Sequence, residues 1–121
     1  MLPQALPLGE FALVVKKAVA AVGVQVVGTN GAPVQRVALA CGAGGEFLAD
    51  AIAAGADAFV TGEVRFHDCL AAQAQRIALV LPGHYATERC GIEVLATRLQ
   101  AQFPTLAIWP SRRERDPLAF V

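Results

Sequence analysis

An α/β fold, a mostly parallel sheet with crossover helices on both faces, is what the sequence predicts, on three observations. Strand-like and helix-like segments alternate over residues 34 to 109, the pattern of parallel strands joined by crossovers. Apolar residues make up 55% of the chain and charged residues 17%, a balance that suits strands covered on both faces or an extensive subunit interface. Polar or glycine-rich turns at 41–45, 61–68 and 82–88 each follow a strand candidate. A parallel topology brings all three to one edge, where ligands sit in such sheets.

The 121 residues suffice for one domain with its own core, read as 1–121 with an irregular arm at 1–9 and a tail at 110–121. The arm holds Pro3, Pro7 and Gly9. A helix follows over about Glu10–Ala21, with Phe11, Val14, Val15, Ala18 and Val22 on one face and Gly23 as its cap. Val24–Val27 is a short strand, and Asn30-Gly31 is a turn signal suited to a hairpin. Val34–Ala40 reads as a buried strand. Glu46–Ala54 is a short helix with Phe47, Leu48, Ala51 and Ile52 inward, stopped by Gly55. Ala56–Thr61 is a strand, Phe66–Gln75 a helix and Ile77–Leu81 the third buried strand. The last helix places Ile92, Leu95, Ala96, Leu99 and Phe103 on one stripe, the clearest helical period in the chain. Pro104 ends it. Thr105–Trp109 is a final strand, and the tail adds a short terminal one.

Ten basic residues balance ten acidic ones, so no global field draws in nucleic acid or an anionic membrane. The most apolar early stretch, Phe11–Val27, is interrupted by Lys16, Lys17 and Gln25 and is not a membrane span. The start of the chain lacks the pattern of a secretory signal. Cys41, Cys69 and Cys90 are odd in number and lack CxxC spacing, which suits a reducing cytoplasm better than a disulfide framework.

Three stretches carry candidate chemistry. Gly42, Gly44 and Gly45 precede a helix start, where free amides could hold an anion, substrate or nucleotide; the same glycines could simply make a tight turn. No complete GxGxxG or P-loop is present. Glu63 and His67, with Arg65 and Asp68 between and beside them, suit acid–base work or orientation of other ligands; helix capping and an ion pair account for them equally well. His84 and Glu88, four apart, share a helical face and can both ligate a divalent metal, with Glu88 also able to take a proton from bound water. Against this, His84 could be satisfied by a carbonyl and Glu88 be a first-turn acid, with Thr87 the N-cap and His84 just outside the helix.

Taken together, Cys41–Gly45, Ala54–Glu63, Phe66–Asp68 and Gly83-His84-Tyr85-Ala86-Thr87-Glu88 resemble the Nif-three-like dinuclear-metal-centre family, whose members carry the name GTP cyclohydrolase I type 2 homologue. Order and spacing match over residues 34 to 90, and Asp116-Pro117 resembles the family's C-terminus. The matched motifs are those of the family's second half. The resemblance implies two similar α/β halves, ring-like assemblies and a pair of divalent ions (zinc, iron, manganese or magnesium) between the halves. It implies His84 and Glu88 as metal ligands, the other ligands being a His-His pair and an aspartate of the first half. His67 and His84 are the only histidines here and are not adjacent.

The expected function is therefore a divalent-metal-binding protein, hydrolase-like if it is an enzyme, with Glu88, His67 and Glu63 as candidate catalytic residues. Its remaining ligands would come from a second copy in a homo-oligomer or from a separate first-half chain. The alternatives are a non-catalytic oligomeric or interaction domain, and an anion- or nucleotide-binding module using the glycine turn.

Overall fold

The computed structural model describes residues 1–119. Four strands form the main sheet: β2 (Gln25–Val27), β4 (Val37–Leu39), β5 (Ala58–Val60) and β6 (Ala78–Leu81), in the order β2-β6-β5-β4. β4, β5 and β6 run parallel, with Val37 opposite Ala58 and Ala58 opposite Ala78; β2 closes one edge antiparallel to β6. A separate two-stranded ribbon pairs β1 (Leu6–Pro7) with β3 (Pro33–Val34).

Alternation along β5 and β6 divides the core in two. Ala58, Val60, Ala78 and Val80 face Leu8, Phe11, Ala12 and Val15 of α1 (Leu8–Ala18). Phe59, Leu79 and Leu81 face Leu48 and Ala51 of α2 (Leu48–Ala53) and Ala72 of α3 (Phe66–Ala74). Helices thus cover both faces. The two parallel crossovers, α2 and α3, share one face because both connections step the same way across the sheet and a right-handed crossover fixes the side. β5 and β6 are accordingly apolar throughout and buried at every position.

Several expectations are corrected. α1 runs three residues short of Ala21, and its buried stripe is Leu8, Phe11, Ala12 and Val15, whereas Val14 and Val22 are exposed. It ends not at Gly23 but where Ala20 takes φ 52°, so that Ala20 N–H reaches Lys17 O and Ala21 N–H reaches Lys16 O. Asn30-Gly31 does not join a hairpin, since β2 pairs with β6 and β3 with β1. The single strand expected over Val34–Ala40 is two, β3 and β4. Between them the amides of Gln35 and Arg36 donate to the Asp57 carboxylate, at 2.9 and 2.7 Å, instead of continuing a ladder. Of the inward face expected for the helix after the glycine turn, Phe47 is exposed, and Gly45–Phe47 forms a 3₁₀ turn ahead of α2. Gly55 does end that helix, with φ 67°.

The last helix, α4 (His84–Gln102), starts at His84 with Gly83 as its N-cap, so Thr87 lies inside it and not at its cap. α4 buries only Ala86 and Thr87, and Ile92, Leu95, Leu99 and Phe103 are all exposed. Thr105–Trp109 is not a strand; the segment turns back on α4, with the Gln100 side chain bonded to Leu106 O and Ile108 N–H, and pairs with no strand. No strand forms over 110–119, while residues 120 and 121 of the expected terminal strand lie outside the described residues. Among the described residues no helix is long and apolar enough to cross a membrane.

Candidate functional site

β4, β5 and β6 are neighbours and parallel, so the turns that leave them lie side by side. The middle turn, Thr61-Gly62-Glu63, carries the arrangement. Thr61 is fully buried, and a buried hydroxyl must be satisfied. It donates to Gly42 O at 3.1 Å and accepts from Gly44 N–H at 3.0 Å. On the other side the buried Thr87 hydroxyl accepts from Gly42 N–H at 3.0 Å and donates to His84 O at 2.8 Å. Gly62 is flanked by further ties: Glu63 N–H reaches Gly42 O at 3.1 Å and Gly83 N–H reaches Gly62 O at 3.1 Å. Two hydroxyls and a few amides knit the three turns together.

Glycine is required where the turns touch. A Cβ on Gly62 would lie 2.7 Å from both Gly42 O and His84 Cα, contacts with backbone that cannot yield. Gly42 has φ 67°, and a Cβ there would lie 2.7 Å from Glu88 Oε1 and 3.2 Å from His84 Nε2. The space that Gly42 leaves is thus open to the ends of the His84 and Glu88 side chains.

This frame brings Glu63, His84 and Glu88 together. His84 Nδ1 is 2.9 Å from Glu63 Oε1, and His84 Nε2 is 3.2 Å from Glu88 Oε1. The three side chains are about half exposed, at 54%, 42% and 56%. The hydrogen bond that His84 donates to Glu63, with the negative charge of Glu88 beside it, holds the His84 pKa above the ordinary imidazole value against the opposing effect of partial burial.

His67 is not part of this group. Its side chain is 69% exposed and approaches Asp68 Oδ1 at 3.4 Å. Asp68 in turn accepts from Arg65 N–H at 3.0 Å at the start of α3, the capping role that the spacing allowed. The glycine turn also differs from an anion cradle. The amides of Gly42 and Gly44 already donate to Thr87 and Thr61, and Gly45 lies against Asp68. Sequence reasoning missed Thr61, whose signal was a hydroxyl ending a wholly apolar strand, and considered Thr87 only as a helix cap.

The donor set fits half of a metal site. His84 Nε2 and Glu88 Oε1 are a nitrogen and an oxygen ligand of types common to first-row divalent ions, and Glu63 on the far ring nitrogen is the usual outer partner of a metal-bound histidine. Among the described residues no set of three or more His, Cys, Asp or Glu side chains is placed to hold an ion alone.

Comparison with known proteins gives one consistent result. Residues 1–117 match the family described as Duf34/NIF3 (NGG1p interacting factor 3). A GTP cyclohydrolase 1 type 2 homolog of Staphylococcus epidermidis is 32% identical over 125 aligned residues, covering 98% of this chain and 33% of that protein. One from Pseudomonas aeruginosa is 38% identical over 73 residues, covering 60% of this chain and 29% of its own length. The crystal structure of a Bacillus cereus protein related to NIF3 superposes with a TM-score of 0.92 at 31% identity, covering 99% of this chain and 34% of that one. The chain spans about a third of the length of these relatives.

Proposed function

Because the chain belongs to the Duf34/NIF3 family, we propose that it contributes His84 and Glu88 to a divalent-metal site completed by another polypeptide segment. The observation that carries this reading is the His84 ring held between Glu63 and Glu88, at 2.9 and 3.2 Å, over the gap left by Gly42. Two donors leave a metal's coordination shell open. The rest come from a second copy of this chain or from a chain equivalent to the family's first half.

The completed site is hydrolase-like. A divalent ion held by His84 and Glu88 would supply Lewis acidity for the activation of water near neutral pH. Glu88, half exposed beside His84, would hold the ion through one carboxylate oxygen and leave the other free to take up a proton. The substrate class, a small phosphorylated or heterocyclic molecule, rests on the relatives' name, GTP cyclohydrolase 1 type 2 homolog.

Elemental analysis and zinc titration on the wild-type protein and on His84→Ala test the reading. Stoichiometric binding that the substitution abolishes is the expected result; metal-free protein, or zinc binding indifferent to it, rejects the proposal. A second reading, a non-catalytic interaction domain, is favoured by the exposed apolar stripe of α4. It predicts assembly without metal. The anion-binding reading is disfavoured because the Gly42 and Gly44 amides already have partners.

A further inference from the structure

We infer that Glu63 is a positioning residue that fixes the proton of the neutral His84 ring on Nδ1 and so leaves Nε2 as the free donor atom beside Glu88. The inference rests on the metal-site reading for its purpose, and on the geometry of Glu63 and His84 for its substance.

A neutral imidazole carries one N–H, and an ionised carboxylate can only accept. His84 lies between two carboxylates, Glu63 Oε1 at 2.9 Å from Nδ1 and Glu88 Oε1 at 3.2 Å from Nε2. Only one of them can receive the proton of the neutral ring; the other faces a lone pair. In free solution the ring prefers the proton on Nε2, which would aim it at Glu88 and leave no nitrogen available on that side. Which nitrogen is protonated is decided by the hydrogen bond the other environment offers.

Glu63 has the stronger claim because backbone holds it there. Its amide bonds to Gly42 O at 3.1 Å, and residues 43 and 63 form an isolated parallel bridge. The preceding Gly62 packs against His84 Cα at a distance that admits no side chain, and Gly83 N–H bonds to Gly62 O. The spacing between the Glu63 and His84 main chains is therefore set on both sides. Glu88, one helical turn along α4, stands farther from the ring, at 3.2 Å against 2.9 Å for Glu63. The carboxylate that Glu88 then presents faces a bare Nε2, an arrangement stabilised by a cation placed between them.

Nitrogen-15 NMR of the metal-free protein, at alkaline pH where the imidazoles are neutral, tests this directly. The exposed His67 serves as the internal reference. His84 is expected in the Nδ1–H form in the wild type and in Glu63→Gln, whose amide oxygen still accepts, and in the Nε2–H form in Glu63→Leu. Zinc affinity is expected to fall about 10- to 100-fold in Glu63→Leu, and by less in Glu63→Gln. A wild-type ring already in the Nε2–H form overturns the inference without any variant. A tautomer that stays unchanged in folded Glu63→Leu overturns it as well. The metal reading fails separately, by zinc binding that survives His84→Ala while the tautomers behave as expected.

Discussion

Gly62 sits at the point where the three turns meet, and it shows how one residue can limit a site. Gly62→Ala is expected to cost about 1–3 kcal/mol, the range for inserting an atom into packed backbone, and to weaken metal binding by displacing His84 from Gly42. Chemical denaturation and zinc titration check the two effects. Thr87→Val tests the other side of the frame. It keeps the shape but strands Gly42 N–H without an acceptor, a loss of about 1–3 kcal/mol readable by the same denaturation. At this scale the sequence was legible where chemistry repeats locally. His84 and Glu88 are four apart and were found by spacing. The contact between Gly62, Gly42 and His84 joins residues twenty or more apart, and no local pattern encodes it. Glu63 was placed among acid–base candidates alongside His67, yet only Glu63 reaches His84, because His67 lies on the outward side of α3.

The helices end in a common way that the sequence disclosed only once. α1, α2 and α3 each close with a left-handed residue whose amide, and that of the next residue, return to the last turn; the residues are Ala20, Gly55 and Arg76. Only Gly55 is the residue type that signals such an end. Ala20→Gly is accordingly expected to stabilise the protein by about 1 kcal/mol, since alanine bears a steric cost at φ 52° that glycine does not; thermal unfolding measures it. The junction of β4 and β5 supplies a pH test. The backbone amides of Arg36 and then Gln35 hold the Asp57 pKa below its ordinary value, with the charge of Arg36 adding to them. A depressed carboxylate pKa contributes stability above its unfolded value, and that contribution is lost as pH falls through the folded one. Asp57→Ala should thus cost about 1 kcal/mol at neutral pH, and its difference from wild type should shrink in acid below the ordinary carboxylate range. The buried strands β5 and β6 were legible from their continuous apolar runs. Thr105–Trp109 had a similar composition but no partner strand, and composition does not reveal whether an edge is available.

At the scale of the molecule, α4 is the element whose sequence and surroundings disagree. Its apolar period is the most regular in the chain, and most of that stripe is exposed: Ile92 at 44%, Leu95 at 50% and Phe103 at 48%. The period correctly signalled a helix, but nothing in a period says what covers it. An exposed apolar stripe of this kind is the face on which the interaction-domain reading rests. Leu95→Glu is expected to leave thermal unfolding within about 0.5 kcal/mol of wild type, as for a surface position, while shifting sedimentation to a smaller species. The threonine-braced turns have a different consequence for the whole. Gly42 and Gly44 amides are enclosed by bonds that need no ion. Their protons should exchange with deuterium as slowly as those of β5 and β6, whether or not zinc is added. A site so braced is stiff before any ligand arrives, and binding there would leave the exchange map of the three turns almost unaltered.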